Sequence, residues 1–380
     1  MTGARGPRAQ LALDTILRKP VKGVPSWLLN LMEHEQIERL AGVQPGEYRK
    51  RPEEVYLAFQ RAIGTCMLDQ YIPENPLSMD NHGYIAERRG PTTGASQIVC
   101  DGILIDSPEA VVQHLESFVF PRLRQAATAF DEGARVRQIL DSEAAIQDKL
   151  GPDMLKGPYG FVTFPYFEYG AYGYEYYFMA YALYPDVLER NFSLQADLAL
   201  LNNRAAARAF GEGGLPPLLR LDHDMADSRG TLVNVKTLDE IWFPHFARCL
   251  EPVLQAGVRL IWHCDGNLME MVPRLLDAGL KGFQGFQYED GMDYERICKM
   301  KTRDGEDLTV IAGVSVTRTL PMGTPQDVKR EMEWLVGNGP KTGLFLGCSS
   351  SITPGVPWEN IKTLVEGLNY YQQHGREGAH

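Results

Sequence analysis

The stretch WHCDGN, Trp262 to Asn267, sets a histidine, a thiol and a carboxylate side by side at the end of the apolar run GVRLI. All three residue types bind transition metals or move protons, so the first question is which of them can act together. Side chains alternate faces along an extended chain, which sends His263 and Asp265 one way and Cys264 the other. A third ligand must come from another strand end, and Cys348, closing the run GLFLGC, is the thiol best placed for it. One imidazole, one carboxylate and one thiolate suit Zn²⁺, which keeps one position open in catalytic sites. The plainer reading is that His263 and Asp265 hydrogen-bond each other or the backbone and Cys348 fills core, since no local ligand motif such as HExxH is present.

Two other stretches carry chemistry. In LDHDMADSRG, Asp222 and Asp224 share a face and can form an acid/base or metal-supporting pair, with His223 joining them if the strand ends early. The alternative is that these acids cap the next segment and face water. The run PYGFVTFPYFEYGAYGYEYYFMAYALY is dense in aromatic rings, most of which read as core at helical spacing. Tyr166, Phe167 and Tyr169 sit where a strand should open, and can wall a flat apolar or aromatic ligand. Glu168, among them, is a candidate fourth ligand or proton-transfer group.

Eight short apolar runs, each followed by a turn and a helical pattern, supply the positions for these residues. They begin at Val24, Thr65, Tyr159, Pro217, Arg259, Gly282, Leu308 and Gly343. Strands alternating with helices predict parallel βα units, and eight of them predict a single (β/α)8 barrel spanning residues 1–380, with its reactive groups at the strand C-termini. Asp222, His223, Asp224, His263, Asp265, Gln287, Ser315 and Cys348 all fall at such ends, with Asp222, Gln287 and Ser315 as substrate contacts. Between the runs, Thr237 and Gly257 bound one expected helix; Thr324, Pro325 and Gly337 cap, open and close another. A helical segment precedes the barrel. An insertion from Pro73 to Pro158 follows the second strand, with a hairpin in SQIVCDGILID and a helix capped at Ser107, and is expected to cover the mouth. Residues 1–20 and 376–380 read as frayed.

Composition narrows the classes. A net charge of −11 argues against nucleic-acid or anionic-membrane surfaces. No run approaches a membrane span in length, and the first residues, MTGARGPRAQ, lack a signal-peptide apolar stretch, so a cytoplasmic protein is expected. The six cysteines form no CxxC pair and read as free thiols.

From about Leu11 to Gly375 the chain resembles the uroporphyrinogen decarboxylase superfamily, which includes the cobalamin-dependent methyltransferases. The resemblance is carried by LRLDHDMADSRGTLVN, by WHCDGN with LMEMVPRLLDAGLKGFQ, by GTPQDVKREMEWLV and by LGCSSSITPGVPWENIKTLVEGLNYY. It implies the (β/α)8 barrel independently. The decarboxylases carry an arginine-rich stretch after the first strand, where this chain reads SWLLNLMEHEQ, and a histidine where it has Cys348. The methyltransferases hold zinc through a His-x-Cys pair and a distant Cys. In this chain His263 matches the histidine, Asp265 stands in place of the near cysteine, and Cys348 matches the distant one. A carboxylate donates less charge than a thiolate, leaving a stronger Lewis acid suited to an oxygen leaving group. The resemblance therefore implies a zinc-dependent methyltransferase acting between a small substrate, with a methoxylated aromatic as first expectation, and a corrinoid (cobalamin) carried by a partner protein. His263, Asp265 and Cys348 would hold the metal, and Glu168, His223 or Asp224 would be a fourth ligand or proton donor. A homodimer is admitted. The competing readings are a porphyrinogen decarboxylase and a non-catalytic corrinoid or small-molecule binding protein.

Overall fold

The computed structural model describes residues 5–74 and 97–376. Five parallel strands, Leu218–Asp222, Arg259–His263, Gly282–Gln284, Thr309–Val314 and Leu344–Cys348, lie side by side in chain order. Apart from Asp222 every residue in them is buried, as parallel strands covered on both faces require. Helices Phe243–Gln255, Pro325–Asn338 and Trp358–His374 supply cover, and the protein is α/β with a parallel sheet.

Further parallel pairings extend from both sheet edges. Tyr159 pairs with Arg220, Leu155–Lys156 with Met67–Leu68, Trp27 with Met67, and Ser26 with Leu346. These earlier segments are much shorter than the runs that announce them. The expected strand from Tyr159 is reduced to a single bridge because Pro158 offers no N–H and Gly160 turns away at φ +79°.

Helix limits follow local chemistry, sometimes against the sequence expectation. Thr324 forms a capping box with Asp327, Pro325 is the first helical residue, and the helix runs past Gly337 to Asn338. The helix expected to start at Thr237 is two. Asn234 caps Val235–Ile241, the chain breaks at Trp242, and a second helix starts at Phe243 with Pro244 in its first turn. Pro244 has no N–H to donate back to the Glu240 carbonyl, which interrupts the helical ladder there. Ser107 caps Pro108–His114, and Val99–Cys100 pairs with Ile103–Leu104 in the expected hairpin. The mouth-covering piece of the insertion falls largely on residues 75–96, outside the described residues. The N-terminus is ordered earlier than expected: Pro7–Ile16 is a helix that buries Ala9, Ala12, Thr15 and Ile16.

Two polar layers tie the sheet together. At its N-terminal end Arg259 donates to Thr309 Oγ1 at 2.9 Å, Glu306 Oε2 at 2.6 Å and the Asp307 carbonyl at 3.0 Å. Nearer the C-terminal end, Arg220 Nε donates to Asp69 Oδ2 and its Nη1 to Asp222 Oδ2, both at 2.9 Å. Trp27 Nε1 donates to Asp69 Oδ1 at 2.9 Å, and the Arg220 guanidinium lies 4.7 Å over the Tyr159 ring. Burial works against the Arg220 charge, but Asp69 and Asp222 more than offset it and raise its pKa above the ordinary value.

Candidate functional site

The Arg259–His263 strand ends at the sheet's C-terminal edge, paired in register with Asp222 on one side and Gln284 on the other. Just beyond, Asp224, His263 and Asp265 each bring a ligand-type atom within 4.8 Å of the others. Asp224 is exposed, Asp265 half-buried and His263 buried, so the cluster opens to solvent on one side. Nε2 of His263 lies 3.9 Å from Asp265 Oδ1 and 4.0 Å from Asp222 Oδ1, beyond hydrogen-bond reach. Asp265 Oδ1 and His263 Nδ1 are buried polar atoms with no hydrogen-bond partner among the described residues. Such orphaned atoms are costly unless something not of the chain satisfies them. Burial raises the Asp265 carboxyl pKa, and the nearby Asp224 and Asp222 charges add to this; His263 and a bond from Ser350 work the other way. An imidazole and two carboxylates, electrostatically uncompensated, are a donor set that fits a divalent cation.

Several backbone contacts fix the two ligand-bearing loops to each other. Asp265 N–H donates to Asp224 Oδ1 at 3.0 Å, and Asn267 N–H to the Asp227 carbonyl at 2.8 Å. Cys264 points away from the cluster, as strand alternation requires. Its Sγ accepts from Met225 N–H at 3.3 Å and donates to the Asp265 carbonyl at 2.9 Å. Two glycines make the approach feasible. Gly266, at φ +84°, has no room for a Cβ, which would fall 2.6 Å from the Asp227 carbonyl oxygen. At Gly285, φ +75°, a Cβ would fall 2.6 Å from His263 Nδ1.

The remaining sequence candidates take other places. Cys348 is fully buried and is not brought to the cluster. Its neighbour Gly347 faces the Trp27 ring inside the sheet, so Cys348 is turned to the opposite face, where its thiol meets the Asn30 backbone and burial pushes it up to about 12. Ser350 is the contribution of that strand end, its hydroxyl reaching Asp265 Oδ2 at 3.2 Å. His223 is adjacent but occupied: Nε2 accepts the Phe167 N–H at 3.1 Å, and burial lowers its pKa to about 4, so it is a neutral imidazole at pH 7. Glu168 receives Asn191 Nδ2 at 2.6 Å and is raised by burial, outside the cluster. Phe167 is core, packed on Phe192 and Tyr181. Tyr169 stacks on His223 at 5.7 Å and donates to the Asp224 carbonyl at 2.8 Å; Tyr166 is 37% exposed, stacked on Phe164. Phe167, Tyr169, Phe178, Met225, Leu232 and Val233 pack around Asp224 as an apolar patch with no water-sized space between them. Gln287 Oε1 accepts the Gly266 N–H at 2.7 Å, and Ser315 is bound to Glu289 and Glu331, so both brace loops.

No local pattern in the sequence announces the Asp69 and Arg220 pair, which spans 151 positions. The one available signal was an arginine at the inward position of an otherwise apolar strand, LLRLD.

Residues 224–371 match the family model described as uroporphyrinogen decarboxylase (URO-D). That span begins at Asp224 and includes His263, Asp265 and Cys348. A solved methyltransferase from Methanosarcina mazei has a similar fold, with a TM-score of 0.56 and 17% identity over 97% of this chain and 99% of that one. No curated protein matches the chain by sequence. No helix among the described residues is long and apolar enough to cross a membrane.

Proposed function

We propose that this chain, whose residues 224–371 carry a uroporphyrinogen decarboxylase family domain, is a methyltransferase. In this reading it moves a methyl group between a small substrate and the corrinoid of a partner protein. The chain would form one domain, a closed (β/α)8 barrel; the pairings of Tyr159, Met67, Trp27 and Ser26 support closure by linking the two edges of the five-stranded sheet. The observation that carries the functional reading is the Asp224, His263 and Asp265 cluster at the strand C-termini, where barrels of this type do chemistry.

Asp224, His263 and Asp265 would hold a divalent metal, with zinc as first choice. When bound, such an ion supplies Lewis acidity to the substrate oxygen from which a methyl group departs. The chain's own residues do the rest. The exposed side of the cluster at Asp224 leaves an approach for substrate and for a corrinoid domain. Tyr169, fixed by its bond to the Asp224 carbonyl, would offer its ring to a flat substrate such as a methoxylated aromatic. Neutral His223 is unable to protonate a leaving oxygen, so that proton would come from solvent.

The decarboxylase reading has less support. Arg220, the buried arginine nearest the cluster, is already committed to Asp69 and Asp222, leaving it little to offer a polycarboxylate substrate.

The test is direct. Purified protein supplied with cob(I)alamin and a panel of methoxylated aromatics should convert the cobalt absorbance to that of methylcobalamin, and His263→Ala should abolish conversion. Failure with every oxygen, nitrogen and sulfur methyl donor, in both directions of transfer, would refute the reading.

A further inference from the structure

The four-residue helix Tyr169–Tyr172 is too short to hold its own position: Glu168 precedes it without a side-chain cap, Gly173 ends it at φ +78°, and one isolated turn is unstable in water. Its place is set from its two ends. At one end the Tyr169 hydroxyl donates to the Asp224 carbonyl at 2.8 Å, and the ring stacks on His223 and Tyr174. At the other, the Tyr172 hydroxyl meets His114 Nδ1 at 2.8 Å, and Nε2 of the same imidazole meets Asp101 Oδ2 at 2.7 Å. Arg122 grips both Asp101 oxygens, at 2.6 and 2.8 Å, and with His114 holds that carboxyl down to about 2. A carboxylate only accepts, so Nε2 carries a proton, and in the neutral ring Nδ1 is left to accept from Tyr172, whose phenol is kept protonated by burial. His114 and Tyr172 are both buried, so this relay runs inside the protein. Two features of its outer end are unusual. Asp101 is one of two non-glycine residues with positive φ among the described residues, at +49°, and His114 stands where its helix widens into the π-turn Leu115–Val119, a kind of turn that recurs at functional sites.

We infer that His114 is a positioning residue for the proposed reaction: through Tyr172 it fixes the turn that carries Tyr169, and so sets how firmly a flat methyl donor is held, not how fast its methyl group leaves. The inference rests on the substrate-holding role proposed for Tyr169 and adds the Asp101, His114 and Tyr172 relay behind it. The metal-type cluster is fastened by bonds of its own, from Asp265 N–H to Asp224 and from Asn267 N–H to the Asp227 carbonyl, and neither passes through this turn. Tyr169, by contrast, rides on the turn, and a ring that is placed before substrate arrives costs less to order on binding.

The experiment follows veratrole, a methoxylated aromatic, both in equilibrium binding read by protein fluorescence and in turnover with cob(I)alamin. Tyr172→Phe, which keeps the buried ring and removes only the hydroxyl, and His114→Leu should each weaken binding and raise KM about ten-fold, with kcat within about two-fold of wild type. His114→Gln, which can still accept from Tyr172 and donate to Asp101, should recover most of the loss. Hydrogen exchange of the Tyr169–Tyr172 amides should quicken in the first two variants and stay near wild type in the third. Co²⁺ titration of metal-stripped protein, which reports the Asp224, His263 and Asp265 cluster, should be unchanged in all three. Wild-type veratrole binding in Tyr172→Phe overturns the inference, as does a kcat that falls in step with kcat/KM, an equal loss in His114→Gln and His114→Leu, or no veratrole binding by the wild-type protein. Veratrole binding that responds to the variants as expected, in a protein that transfers no methyl group, would refute the methyltransferase reading and uphold the relay.

Discussion

The Arg259–His263 strand carries a charged or titratable residue at each end, and the two ends are treated in opposite ways. Arg259 makes hydrogen bonds to Thr309, Glu306 and Asp307, and Glu306 and Asp307 are in turn paired with Arg18 and Lys301 or Lys281. His263, four residues on, has its Nε2 3.9 Å from Asp265 Oδ1 and 4.0 Å from Asp222 Oδ1, too far for a hydrogen bond, and its own Nδ1 and Asp265 Oδ1 are buried without a partner among the described residues. Both ends have the same buried strand between them, so the difference does not come from folding. One end is closed as a matter of stability; the other is left open electrostatically, at the cost of stability, as a place for a ligand.

That contrast can be broken most directly by paired substitutions. Arg259→Ala should destabilise the protein by about 2–4 kcal/mol, because it strands buried acceptors, while leaving Co²⁺ affinity intact. His263→Ala should do the reverse, abolishing Co²⁺ binding with the metal-free melting free energy within about 1 kcal/mol of wild type. Chemical denaturation and metal titration of both variants would decide, and a large stability loss in His263→Ala would erase the distinction between the ends.

Gly285→Ala comes next. The added methyl, at φ +75° and against His263 Nδ1, should cost about 1–3 kcal/mol and at least about ten-fold in Co²⁺ affinity without touching a ligand. Unchanged affinity would show that the His263 ring is not positioned from behind.

A third measurement uses pH. Glu331, whose Oε1 accepts the Ser315 N–H at the open end, has its pKa raised to about 7 by burial, with that bond partly opposing. The folded state therefore holds a proton that the unfolded state has already lost, and its contribution to stability falls as pH rises from about 4.3 toward 7. Glu331→Gln should remove that fall, so that the variant gains stability relative to wild type between pH 5 and pH 7.5 in thermal melts. Parallel pH profiles for the two proteins would contradict the assignment. The smallest effect is expected at Cys264, where serine can accept from Met225 and donate to the Asp265 carbonyl as the thiol does; Cys264→Ser should shift stability by less than about 1 kcal/mol.

Much of the frame was legible. The runs at Pro217, Arg259, Gly282, Leu308 and Gly343 became adjacent parallel strands because their apolar residues fill both faces, and Thr324 with Asp327 announced a cap that the chain makes. Alternation correctly separated Cys264 from His263 and Asp265. Asp224 was harder. Parity along an extended chain pairs it with Asp222, but the strand ends at Asp222 and the small hairpin Ala226–Asp227 with Gly230–Thr231 swings Asp224 toward Asp265. Residue type and resemblance favour Cys348 as a ligand, whereas its facing is decided by the neighbouring Gly347 and Trp27, a contact no local pattern encodes. The Asp69 and Arg220 pair was illegible for the same reason, being a matter of which strands meet across the interior.

Gly266 has a mechanical consequence. With no side chain there, the loop after His263 rests directly on the backbone of Asp227, and Asn267 N–H fastens the two together. Asp224 and Asp265 therefore ride on one rigid piece instead of two independent arms. A push on Ser228 and Arg229, the exposed tip of the Ala226–Thr231 hairpin, as by a docking protein, would be transmitted to both carboxylates at once, changing their spacing before any atom of the visitor reached them.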